Sequence, residues 1–172
     1  MTEYFDYYFS RVSDQFYKGN FSKKVSLAGD EKTVRQIAEF IKKYLGARIK
    51  TAIITDFFPG DENPVDVKAE ELKGLADNVK FSQDGKEIYG ILLRSDSDII
   101  AGSSLEEEAA ENAGSHLWEI SYPIYGQTVL NKTYAGIHGA ITLAEDYIRE
   151  VNGLEKQRRE KTLARIGSYS DF

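Results

Sequence analysis

Apolar positions follow two rhythms along this chain, short continuous runs and longer stretches with one apolar face, and from residue 25 onward the two alternate. Continuous runs suit strands covered on both faces, whereas positions three and four apart suit helices with one buried stripe. The runs at 25–28, 51–55, 78–81, 98–101 and 117–121 predict five strands, the third of them weak. Between them, Val34, Ile37, Ala38, Ile41 and Leu45 mark a helix that closes at Gly46. Asn63-Pro64 reads as an N-cap followed by the first residue of a helix that runs to about residue 77 and carries Leu72 and Leu75. The turn Gln83-Asp84-Gly85 leads into a helix bearing Ile88, Ile91 and Leu92, which should end before Asp96. Ser104 and Glu107 have the spacing of a capping box, and Ala109, Ala110 and Ala113 follow on the helix it would open, up to Gly114. A last helix, from near Thr133, is expected to bury Ile137, Ile141, Ala144 and Ile148. Ahead of the first strand, Phe5, Tyr8, Phe9, Val12 and Phe16 form an aromatic stripe that predicts an amphipathic helix over 2–18, stopped at Gly19-Asn20.

Five strands alternating with helices predict an α/β domain of Rossmann-like, three-layer form, with a mainly parallel sheet built from right-handed crossovers. The expected strand order is 3-2-1-4-5. That order sets strands one and four side by side where the winding reverses, so their carboxyl ends flank the crevice in which such folds bind ligands. Gly29 and Asp30 then face Gly102, Ser103 and Ser104, and the loop after strand five, with Pro123, Tyr125 and Gly126, lies beside them. Gly29 allows a tight strand-to-helix bend and Asp30 is placed to cap the helix that follows. No G-x-G-x-x-G and no P-loop are present, which argues against a dinucleotide site. Residues 1–152 read as a single domain. Residues 153–172 are charged and poor in apolar surface, and read as a helical extension or a mobile tail.

Composition narrows the chemistry. At 172 residues the chain can bury one real core. It has no cysteine, so it offers neither disulfides nor thiolate ligands for an iron–sulfur or zinc site. Its net charge of -6, without a basic stripe on any one element, argues against a nucleic-acid surface. The start, MTEYFDYYF, lacks the character of a signal peptide, and no apolar run approaches the roughly 18 residues of a membrane span, so a cytoplasmic protein is expected. The two histidines, His116 and His138, have no second histidine at helical spacing to form a metal pair. Glu106, Glu107 and Glu108 fall in a first helical turn, where carboxylates suit the helix dipole. Gly136 and Gly139 share one helix face and suggest close packing on the sheet or on a neighbouring subunit.

Four short motifs, in order, resemble the C-terminal domain of nitrogenase component 1 subunits, over about residues 4–151. An apolar strand ending in Gly-Asp opens that domain, as Val25 to Asp30 does here. A strand ending in Ile-Gly-Asn-Ser is matched in part by Ile100-Ala101-Gly102-Ser103. A Phe-Pro-Ile/Leu-Phe sequence is matched by Tyr122-Pro123-Ile124-Tyr125. The helix start Thr-Thr-x-Gly-Tyr-Glu-Gly-Ala is approached by the stretch from Lys132 to Ala140. The resemblance implies a domain of a longer oxidoreductase subunit. Its iron–sulfur cluster, and in some members an iron–molybdenum-type cluster, is held by parts absent here, with an iron protein supplying electrons. In the catalytic α-type subunits a cofactor-ligating histidine lies at this helix start. That position is Ala135 here, and His138 falls on the acidic position of the pattern. The resemblance therefore points to a β-type or scaffold-type subunit, without metal ligands or catalytic residues in this stretch. Its implied partners are the other domains of its own subunit, a homologous α-type subunit and the iron protein. A non-catalytic cofactor-assembly scaffold or small-molecule-binding module is the alternative.

Overall fold

The computed structural model describes Tyr7, Ser10, residues 21–56, Glu70, and residues 72–127 and 133–167, the last three of these as backbone only. Of the helix expected over 2–18 only Tyr7 and Ser10 are described, both helical, and the Asn63-Pro64 start of the following one lies outside the described residues. The elements in chain order are β1 (Lys24–Gly29), α1 (Glu31–Leu45), β2 (Arg48–Ile54), β3 (Asn78–Phe81), α2 (Gly85–Leu93), β4 (Ile99–Gly102), a 3-10 turn (Ser104–Glu106), α3 (Glu107–Ala113), β5 (His116–Glu119) and α4 (Gly136–Gly167). The strands form one parallel sheet in the order β3-β2-β1-β4-β5. This is the expected Rossmann-like arrangement.

Each face of the sheet has its own core. On one face Val25, Leu27, Ile49, Ala52, Ile54, Ile99, Ala101 and Trp118 meet the stripe of α1 and a stripe of α4. On the other, Ala28, Ile53 and Ile100 meet Ile88 and Leu92 of α2 and Ala109 and Ala110 of α3. The central strands are buried on both sides, which is why they are continuous apolar runs rather than alternating ones. Asp30 caps α1 by accepting from the Thr33 N–H at 2.9 Å, and Gly46, at φ 68°, ends it in the left-handed region.

Four expectations shift. The capping box is Ser103 with Glu106, not Ser104 with Glu107, because the S-x-x-E spacing fits both pairs and the first turn is a 3-10 turn beginning one residue earlier. β5 starts at His116 and ends at Glu119, since Ile120 and Ser121 turn to donate their N–H groups to the Gly102 carbonyl. The helix expected to reach residue 77 gives way to a turn after Lys73. α4 begins at Gly136, and its buried stripe is Leu143, Ala144, Tyr147, Val151 and Leu154, whereas Ile137 is 38% exposed and Ile141 and Ile148 are half-buried. The stripe is rotated toward Tyr147 because its ring packs 5.9 Å from that of Trp118 and its hydroxyl donates to the Phe21 carbonyl at 2.6 Å. A tyrosine with a partner for its polar end is as good a core residue as isoleucine.

Past Asn152 the helix continues to Gly167. Its first turns there stay on the domain: Leu154 is buried, Glu155 pairs with the buried Lys23 at 2.6 Å, and Arg158 pairs with Asp98 at 2.6 Å. No helix among the described residues is long and apolar enough to cross a membrane.

Candidate functional site

Because β1 pairs with β4, the chain leaves these two strands on opposite faces and opens a crevice of about 740 Å³ at their carboxyl ends. Gly29, Asp30 and Ser103 line it, with Thr55, Gln83, Tyr89, Leu105, Glu106, Ser121 and Tyr122. Gly102 lies directly behind Ser103. Ser104, Tyr125 and Gly126 are not part of this wall; they gather around Glu119 at the end of β5. The seven residues singled out from sequence thus fall into two adjoining groups, one organised by Glu106, read from sequence only as a first-turn carboxylate, and the other by Glu119.

Glu106 turns back on its own helix start. Its Oε2 accepts from the Ser103 N–H at 2.6 Å and from the Ser103 hydroxyl at 2.7 Å. Gly102 makes room for this, since a Cβ there would stand 2.7 Å from the same oxygen. Glu119 does the equivalent for the next loop. Its Oε1 accepts from the Ser104 hydroxyl, from the Tyr125 N–H at 3.2 Å and from the Gly126 N–H at 3.1 Å, and a Cβ on Gly126 would come within 2.8 Å of its other oxygen. At α1 the Glu31 N–H is taken by Asp56 at 2.8 Å, and at α2 the Lys86 N–H by Asp84 at 2.8 Å. Strand ends and helix starts of this kind hold phosphates in many α/β proteins. Here the chain's own carboxylates occupy these donors, so an incoming anion would have to displace a carboxylate.

A model of nitrogenase component 1 type oxidoreductases matches residues 8–152. The chain belongs to this family. A solved structure titled "Nitrogenase Cp1 at pH 6.5" is similar in fold, with a TM-score of 0.66 and 20% identity over 90% of this chain. The chain spans only 34% of the length of that nitrogenase chain. No curated protein sequence matches it.

Nitrogenase component 1 proteins carry metal clusters, so the residues present must be tested against one. They do not fit. The chain has no cysteine, and Ala135 offers no side-chain donor at the helix start. His116 is held through Nε2 by Glu150 at 2.9 Å. Among the described residues no group of three or more His, Cys, Asp or Glu side chains is placed to hold a metal ion.

What the nitrogenase-like helix start does contain is a polar chain locking it to β5. The Tyr134 hydroxyl donates to buried Asp146 at 2.7 Å, Asp146 pairs with Arg149 at 2.7 Å, Arg149 with Glu150 at 2.8 Å, and Glu150 with His116. Burial, reinforced by the Asp146 carboxylate, pushes the Tyr134 hydroxyl well above the ordinary tyrosine range, so it stays a neutral donor. Gly139 is required by the chain itself: a Cβ there would lie 2.2 Å from the Tyr134 carbonyl carbon. Gly136, at φ 68°, supplies the left-handed bend that lets the chain double back over the first turn.

Proposed function

We propose that this chain is the C-terminal domain of a β-type nitrogenase component 1 subunit in the cytoplasm. In this reading its role is structural, presenting the carboxyl end of its sheet to other domains of its subunit and to an α-type partner. The clusters, iron–sulfur and iron–molybdenum-type, would be held elsewhere in the complex that an iron protein reduces. One observation carries the reading: Leu105, 72% exposed, and Tyr122, 76% exposed, line the crevice, and Tyr125, 81% exposed, stands on the loop beside it, all next to backbone held by internal carboxylates. Large apolar side chains displayed on a braced loop suit burial against protein. Gly29, Asp30, Gly102, Ser103, Ser104, Tyr125 and Gly126 then serve as the frame of a contact surface.

The test is co-expression with the α-type subunit of the same system and measurement of the mass of the purified species. A complex that is lost in Tyr122→Glu combined with Tyr125→Glu, with the melting temperature of the free domain unchanged, is the expected result. A chain that purifies alone from the co-expression overturns the reading. The alternative, a scaffold or small-molecule-binding module, draws on the crevice itself, whose volume and tyrosines, Tyr89 and Tyr122, suit a small organic ligand.

A further inference from the structure

We propose that the groove between β3 and α2, near the amino end of the sheet, binds a phosphate group. The groove is open to solvent, offers about 300 Å³ and is lined by Lys50, Thr51, Asn78, Lys80, Ile91 and Arg94, with Ser95 and Asp96 at its end. It shares no lining residue with the crevice at the other end of the sheet. Two different elements bring cations to it. Lys80 stands opposite Ile53 in the β2–β3 pairing, so it rises on the face that α2 covers with Ile88 and Leu92. Arg94 follows the last turn of α2, and its guanidinium lies back along the helix, 3.5 Å from where a Cβ on Gly90 would be.

These two cations are not neutralised. Asp96 is held by Lys24 at 2.7 Å, and Asp77 is shared by Lys50 and Arg48 at 2.9 Å each. These two carboxylates are therefore already engaged, and among the described residues neither Lys80 nor Arg94 has an ion pair. A single cation after a helix answers the dipole, and a single lysine on an edge strand guards the edge. Neither reason brings both into one groove beside the amide of Asn78 and the hydroxyl of Thr51. A forked guanidinium, a point-charge ammonium and neutral donors together match a tetrahedral oxyanion better than a planar carboxylate, which uses two oxygens only. The volume exceeds that of one phosphate, since a single water occupies roughly 30 Å³, so a phosphate ester is accommodated as well as the free ion.

The full 172-residue chain is titrated with inorganic phosphate against sodium chloride at matched ionic strength, because exposed charges are screened by any salt. Backbone amide resonances are followed by NMR. Saturating shifts at Lys80, Ile91, Arg94 and Ser95 are expected, each of Lys80→Ala and Arg94→Ala weakening the binding by about tenfold and Lys32→Ala, on α1, leaving it unchanged. Both substituted side chains are exposed, so the fold persists and the spectra remain comparable. Adenosine monophosphate is run as a second arm: tighter binding than inorganic phosphate identifies an ester as the ligand, and equal or weaker binding identifies the free ion. Shifts that do not saturate, that chloride reproduces, or that survive in the Lys80→Ala, Arg94→Ala double variant overturn the proposal.

Discussion

Glu150 is the residue on which the link between α4 and β5 depends. Burial alone would raise its carboxyl pKa, but hydrogen bonds from His116 and Arg149 outweigh that and hold it below the usual glutamate range. A carboxylate whose folded pKa is depressed adds stability above its unfolded pKa, and that stability is lost as pH falls through the folded value. The melting temperature of Glu150→Gln should therefore lie below that of the parent at neutral pH, and the gap should close on acidification below about pH 4. A gap that stays constant from pH 7 to pH 3 would show that the charge of Glu150 contributes nothing to the fold.

Among the elements, α4 has the most to lose from a cut. A chain stopped at Asn152 keeps every strand but removes Leu154 from the core and leaves the buried Lys23 ammonium without Glu155. Losing a buried leucine costs about 2 kcal/mol, and losing the pair with Glu155, whose side chain is 42% exposed, adds about 1 kcal/mol at most, so urea unfolding should show a lower midpoint. A truncated chain as stable as the parent would mean that these turns only rest on the domain. The central strands were legible in the sequence because both layers pack on them, which forces a continuous apolar run, as at Ile53, and α1 because one face meets the sheet, which forces a clean stripe, as at Ile41. The end of the crevice was legible as a place, at Gly29 and Ser103, but its glutamates were not. Glu106 and Glu119 fold back onto backbone N–H groups, and a glutamate that does so is written no differently from one that points to water. The stripe of α4 was misplaced for a related reason: Tyr147 counts as amphipathic until Phe21 is known to accept from its hydroxyl.

For the whole molecule, the metal question follows from the donors present. With no cysteine, with Ala135 at the helix start and with His116 tied to Glu150, the purified chain should be colourless, free of stoichiometric iron and without reductase activity of its own. Elemental analysis finding about one tightly bound iron per chain, lost on His138→Ala, would overturn that expectation. The length of α4 has a different kind of consequence. Among the described residues its last tether to the sheet is Arg158 on Asp98, yet the helix runs on to Gly167, so residues 159–167 carry the axis about 13 Å past that anchor. An overhang of this kind acts as a lever. A slight rotation of α4 against β5, where the Glu150–His116 bond sits, is geared up into a larger sweep at its far end, so the pose of this domain would be easier to sense from the tip of that helix than from the sheet itself.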